Sequence, residues 1–133
     1  MTYILIESSD DLEYLDKELI QKDFLGVDTE FRRTSKTNLR LALLQIRDVD
    51  EIYLVDCIKI KALSQGCNFL TSKKVTKIFH SIKEDIEAIF SWTNKPVSNV
   101  FDTQLANAFL GNTFSASYKD FVFQDLGVKI KKE

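Results

Sequence analysis

Apolar and polar positions follow two periods along this chain, one of about two and one of about 3.6 residues, and the changes between them outline its elements. Tyr3 to Ile6 reads as a short strand. Ser9-Asp10-Asp11 then supplies helix-capping chemistry, and Leu12, Leu15, Leu19 and Ile20 recur at helical spacing, predicting a helix over about residues 10 to 21. Phe24-Leu25-Gly26-Val27-Asp28-Thr29-Glu30-Phe31 has the density of a buried strand and turns polar toward its C-terminal end. After the loop Thr34-Ser35-Lys36-Thr37-Asn38, the runs Leu41 to Ile46 and Ile52 to Val55 flank the turn Asp48-Val49-Asp50 and read as an antiparallel hairpin.

The second half alternates strand and helix signals. Residues from about 58 to 70 read weakly as a helix, interrupted by Gly66, and Val75 to Phe79 returns to strand. Ser81-Ile82-Lys83-Glu84 is a capping box, opening a helix whose apolar stripe is Ile82, Ile86, Ile89 and Phe90. Pro96 marks a loop. Asp102 can cap a helix through Leu105, Phe109 and Leu110, ended by Gly111, and Ser117 and Gly127 bracket a last short helix. A meander of strands followed by alternating strands and helices predicts an α/β fold, a mixed sheet covered by helices.

The 133 residues fit one domain, and 44% apolar with 29% charged residues supports a packed core and excludes a disordered or collagen-like chain. A net charge of -2 offers no global attraction to nucleic acid, so any such site must be a local patch. There is no membrane-length apolar run and no basic leader at the start, which reads as a soluble, cytoplasmic protein with no membrane partner. Cys57 and Cys67 with one histidine in the chain fall short of a zinc ligand set and read as buried thiols.

Asp28 and Glu30 lie two apart on a strand, so both leave one face while Thr29 faces the other way. Paired carboxylates on an apolar strand repel each other and suit a hard divalent cation such as magnesium or manganese. Taken alone, the pair is more readily read as a strand end running into water. Asp85 borders the apolar stripe of its helix, about 60° from Ile82 at about 100° per residue, so it can reach a cleft at the sheet edge. Its plain alternative is a favourable charge at a helix N-terminus, and that of Asp102 is an N-cap.

Asp28-Thr29-Glu30-Phe31, Leu43-Leu44-Gln45-Ile46, His80 with Glu84-Asp85, and Asp102-Thr103-Gln104-Leu105, in this order and spacing, resemble the ribonuclease D branch of the DEDD 3′ to 5′ exonucleases from about residue 24 onward. The resemblance implies a ribonuclease H-like fold with a mixed five-stranded sheet flanked by helices, and two ions, Mg2+ or Mn2+, on four acids. Asp28 and Glu30 match the first acidic motif and Asp85 the second, which makes these three the implied catalytic and metal-binding residues. The family's last motif, a tyrosine or histidine followed four positions later by aspartate, does not occur in the 133 residues. Asp120 and Asp125 read as solvated helix residues, and the sequence reads as a single domain over 1–133 cut before its last acidic helix.

The implied activity is metal-dependent 3′ to 5′ hydrolysis of RNA ends in processing or turnover. The alternative is a catalytically impaired homologue acting as a nucleic-acid-binding or interaction module. Arg32, Arg33, Lys36 and Arg40 follow the acidic strand, where phosphates of a bound strand would pass, and Phe31 is a candidate stacking residue. His80, Asp102 and Gln104 complete the candidates, with more weight on structural roles for His80 and Asp102. Single-stranded RNA 3′ ends are the expected partner; DNA is not separated from RNA, since no 2′-hydroxyl contact can be placed. An open C-terminal edge also predicts exposed apolar surface and a homodimer.

Overall fold

The structure is a computed structural model and describes residues 2–36, 38–61, 66–80 and 82–109. Strand β1 (Thr2–Ile6) leads into helix α1 (Ser9–Leu19), and β2 (Phe24–Arg33), β3 (Leu39–Arg47) and β4 (Glu51–Asp56) follow as an antiparallel meander. The short α2 (Asn68–Thr71) precedes β5 (Thr76–Phe79), α3 (Ile82–Thr93), β6 (Val100–Asp102) and α4 (Thr103–Phe109). The sheet order is β1-β4-β3-β2-β5-β6, with β1 parallel to β4, and β5 and β6 added parallel beside β2. This is the mixed, helix-flanked sheet expected, with six strands rather than five. The short β6, Val100–Asp102, follows Pro96 and Asn99 and is too short to show alternation.

Local chemistry shifts several boundaries. Ser8 caps α1, its Oγ accepting from the Asp11 amide at 3.2 Å, one residue before the expected capping run. Of the weak helix expected over 58–70, residues 58–61 are not helical, 62–65 lie outside the described residues, and α2 covers Asn68–Thr71. Its first turn is held from another element: buried Asp16 of α1 accepts from the Phe69 amide at 2.9 Å and from Asn68 Nδ2 at 2.8 Å. Ser81 of the capping box, and the elements expected at Gly111 and between Ser117 and Gly127, lie outside the described residues. Cys57 and Cys67 are both free and buried, and burial pushes the Cys67 thiol up to about 12.

The core lies on one side of the sheet. Leu25 and Val27 of β2, Leu44 and Ile46 of β3, Val55 of β4 and Phe79 of β5 meet Leu12, Leu15 and Leu19 of α1, Phe69 and Leu70 of α2, and Ala88, Ile89 and Trp92 of α3 in one cluster. Each fully buried side chain of this kind contributes about 1.5–3 kcal/mol. Ladder partners share a face, so Tyr3, Leu5, Leu54, Gln45 and Asp28 line the opposite face, outside that cluster. There Tyr3, Leu5, Phe24 and Phe101 are exposed apolar side chains.

Candidate functional site

The parallel strands β2, β5 and β6 end at the same edge of the sheet, and α3 and α4 begin there. Ligands in α/β sheets bind outside the carboxyl ends of strands, and this edge carries Asp28, Glu30, His80, Asp85, Asp102 and Gln104. The pairing of β2 with β5 stops at Gly26, so the acidic end of β2 runs past its neighbour.

Asp28 and Glu30 are exposed and face away from the core, whereas Thr29 between them is half-buried on the core face. Asp28 Oδ1 accepts from the Thr29 amide at 2.9 Å. The Thr29 hydroxyl donates to Asp85 Oδ1 at 2.5 Å, making this threonine the residue of β2 that holds Asp85. Asp85 is 8% exposed, and burial pushes its carboxyl up to about 6, with the charges of Asp28, Glu84 and Asp102 adding to the rise and the Thr29 hydroxyl opposing it. The Asp28 charge therefore acts on Asp85 across the strand.

Among the described residues, no group of three histidine, cysteine, aspartate or glutamate side chains stands close enough to hold one metal ion. Divalent cations of this class take several convergent oxygen ligands; here the Asp85 carboxylate meets the Thr29 hydroxyl, and Asp28 and Glu30 leave the other face of β2.

His80, Asp102 and Gln104 stand at or beside the starts of α3 and α4. Asp102 Oδ2 accepts from the Ile82 amide at 2.9 Å, while Oδ1 accepts from the Gln104 and Leu105 amides at 2.9 and 3.2 Å, so one carboxylate serves the starts of α3 and α4. Gln104 sits half-buried in the first turn of α4. His80 Nδ1 lies 2.7 Å from Oγ1 of fully buried Thr103, whose hydroxyl donates to the Phe79 carbonyl at 3.2 Å. With that hydrogen committed, Nδ1 carries the proton toward Thr103.

The basic residues separate into two groups. Arg33 donates to Glu87 Oε2 at 3.0 Å and to the Lys36 carbonyl at 3.2 Å, joining the β2–β3 hairpin to α3. Lys36 is exposed, and Arg32 and Arg40 are exposed cross-strand partners. Phe31 is half-buried and packs against the core, on the face opposite Glu30. Thr29 and Thr103 were invisible as site residues, because a threonine in a strand or a helix start carries no signal for a partner 56 or 23 positions away.

Comparison with known proteins agrees with this sheet. The profile of the 3′-5′ exonuclease family matches residues 3–133. Ribonuclease D of Bartonella henselae is 33% identical over 129 residues, covering 96% of this chain and 32% of the relative. The crystal structure of Escherichia coli RNase D, described as an exoribonuclease involved in structured RNA processing, superposes with a TM-score of 0.81 at 26% identity over 98% of this chain and 35% of that one. A Trypanosoma brucei RNase D in complex with RNA shares the fold, with a TM-score of 0.74 at 16% identity over 97% of this chain and 48% of that one. The chain spans about a third of the length of the curated relatives it matches.

Proposed function

Because this chain belongs to the 3′–5′ exonuclease family, in the ribonuclease D branch of the ribonuclease H-like DEDD superfamily, we propose that its 133 residues form one exonuclease-like domain that binds single-stranded RNA 3′ ends and hydrolyses them inefficiently. The observation that carries this reading is the Thr29 hydroxyl on Asp85, with Asp28 and Glu30 on the other face of β2. The RNA held by a protein of the same fold supports the choice of ligand.

A second reading, metal-dependent 3′ to 5′ exoribonuclease activity with Mg2+ or Mn2+ on Asp28, Glu30 and Asp85, is favoured by the meeting of all three acids at one sheet edge. Family membership points to divalent-metal chemistry in general. Release of label from a 3′-labelled single-stranded oligoribonucleotide in manganese, compared between the chain and Asp28→Asn, separates the two. The binding reading predicts release by the wild type barely above that of Asp28→Asn; efficient release by the wild type alone overturns it.

A cytoplasmic location belongs to the same proposal, supported by the finding that no described helix is long and apolar enough to cross a membrane. So does self-association, supported by exposed Tyr3, Leu5, Phe24 and Phe101 and tested by sedimentation at several concentrations.

A further inference from the structure

The β2–β3 ladder places Arg32 directly opposite Arg40. Such partners share a face with Cα atoms about 4.5–5.5 Å apart, and like charges there destabilise the pair. The register is imposed by a bulge. Glu30 pairs with Leu43, and an unbroken antiparallel ladder would bring Leu41 opposite Arg32. The extra residue, Ala42, moves pairing on by one, so that Leu41 meets Phe31, Leu41 and Leu39 turn into the core, and Arg40 comes to Arg32. Burial of the two leucines thus offsets the cost of opposed guanidinium groups.

Among the described residues, neither Arg32 nor Arg40 makes a hydrogen bond or ion pair through its guanidinium, in contrast to Arg33, which is tied to Glu87 and the Lys36 carbonyl. By strand alternation Arg32 stands on the face of Asp28 and Glu30, about 7 Å beyond Glu30 and about 13 Å beyond Asp28 along β2. Two forked donors aimed from adjacent strands match the oxygens of one phosphate, with charge-assisted bonds to each.

We infer that Arg32 and Arg40 form a clamp for one backbone phosphate of a single-stranded nucleic acid whose end lies toward Asp28 and Glu30, an inference that rests on the RNA-binding reading above. The clamp sets the register of the strand on the domain and reads no base.

The test is fluorescence anisotropy of a 5′-labelled single-stranded oligoribonucleotide in EDTA, titrated with the 133-residue chain at several salt concentrations. The variant Arg32→Gln/Arg40→Gln is compared with Lys17→Gln/Lys61→Gln, which removes the same charge from exposed positions elsewhere. The clamp predicts binding weakened about ten- to a hundredfold and a salt slope shallower by about 0.7, the value for one released phosphate on a single strand. The lysine variant keeps the wild-type slope. It also predicts that the arginine variant melts at or above the wild-type temperature, because opposed like charges are gone. Wild-type binding with an unchanged slope in the arginine variant, an equal loss in the lysine variant, or a lower melting temperature would overturn the clamp alone. A wild type that does not bind the oligonucleotide overturns the RNA-binding reading and the clamp with it.

Discussion

Thr29 Oγ1 donates to Asp85 Oδ1 at 2.5 Å, joining the acidic end of β2 to the first turn of α3. The bond holds the carboxyl of Asp85, a residue only 8% exposed, on the core side of the strand. Asp28 and Glu30, the neighbours of Thr29, face the other way.

Thr29→Val removes that donor and keeps the side-chain shape. At neutral pH the loss leaves an ionised, buried carboxylate one partner short, so a stability cost of about 1–2 kcal/mol is expected in urea unfolding. Carbon-detected NMR of the carboxyl should show the Asp85 pKa rising above its wild-type position of about 6. A pKa that stays or falls would mean that Thr29 does not hold Asp85.

Lys77 is fully buried, with Nζ donating to the Ser72 and Val75 carbonyls at 2.7 and 2.5 Å, and burial lowers its pKa to about 8 from 10.5. A depressed folded-state pKa means that the unfolded chain binds the extra proton between these values. The contribution of this group to stability is therefore fully present above about 10.5 and is lost as pH falls through about 8. Denaturation across pH 7 to 11 should show wild type gaining on Lys77→Met over that window. A stability difference independent of pH would refute the assignment.

Asp102 is both a helix cap and a tie between α3 and α4. Asp102→Ala should cost about 2–3 kcal/mol in thermal or urea unfolding, since three amides lose one acceptor group. Asp102→Asn, which keeps one oxygen, should recover part of it. Full stability in the alanine variant would contradict the capping role.

Trp92 Nε1 donates to the Ile60 carbonyl at 2.8 Å inside the core. Trp92→Phe should cost about 2 kcal/mol, from an orphaned carbonyl and a partly filled cavity. Circular dichroism of urea unfolding checks this without relying on the lost indole.

The parts of this fold that sequence reveals are those written in local periodicity. Leu12, Leu15 and Leu19 mark α1, the runs around Leu44 and Val55 mark the hairpin, and Asp102 acts as the N-cap its position suggests. Long-range chemistry left no such trace. The hold of Asp16 on α2, the tie from Asp102 to Ile82, and the pairing of Thr29 with Asp85 each join residues 20 or more positions apart. The basic loop was legible as a cluster, yet strand alternation turns Arg33 toward Glu87 and away from Arg32, and only the bulge at Ala42 brings Arg40 opposite Arg32.

Counting bound manganese decides most directly whether the three acids converge. Electron paramagnetic resonance detects free aqueous Mn2+, whose signal falls when protein oxygens take the ion. With Asp85 engaged by Thr29, Mn2+ added to equimolar chain should keep nearly its buffer intensity, and Asp28→Asn should change nothing. A stoichiometric loss of signal that Asp28→Asn or Asp85→Asn restores would contradict the account.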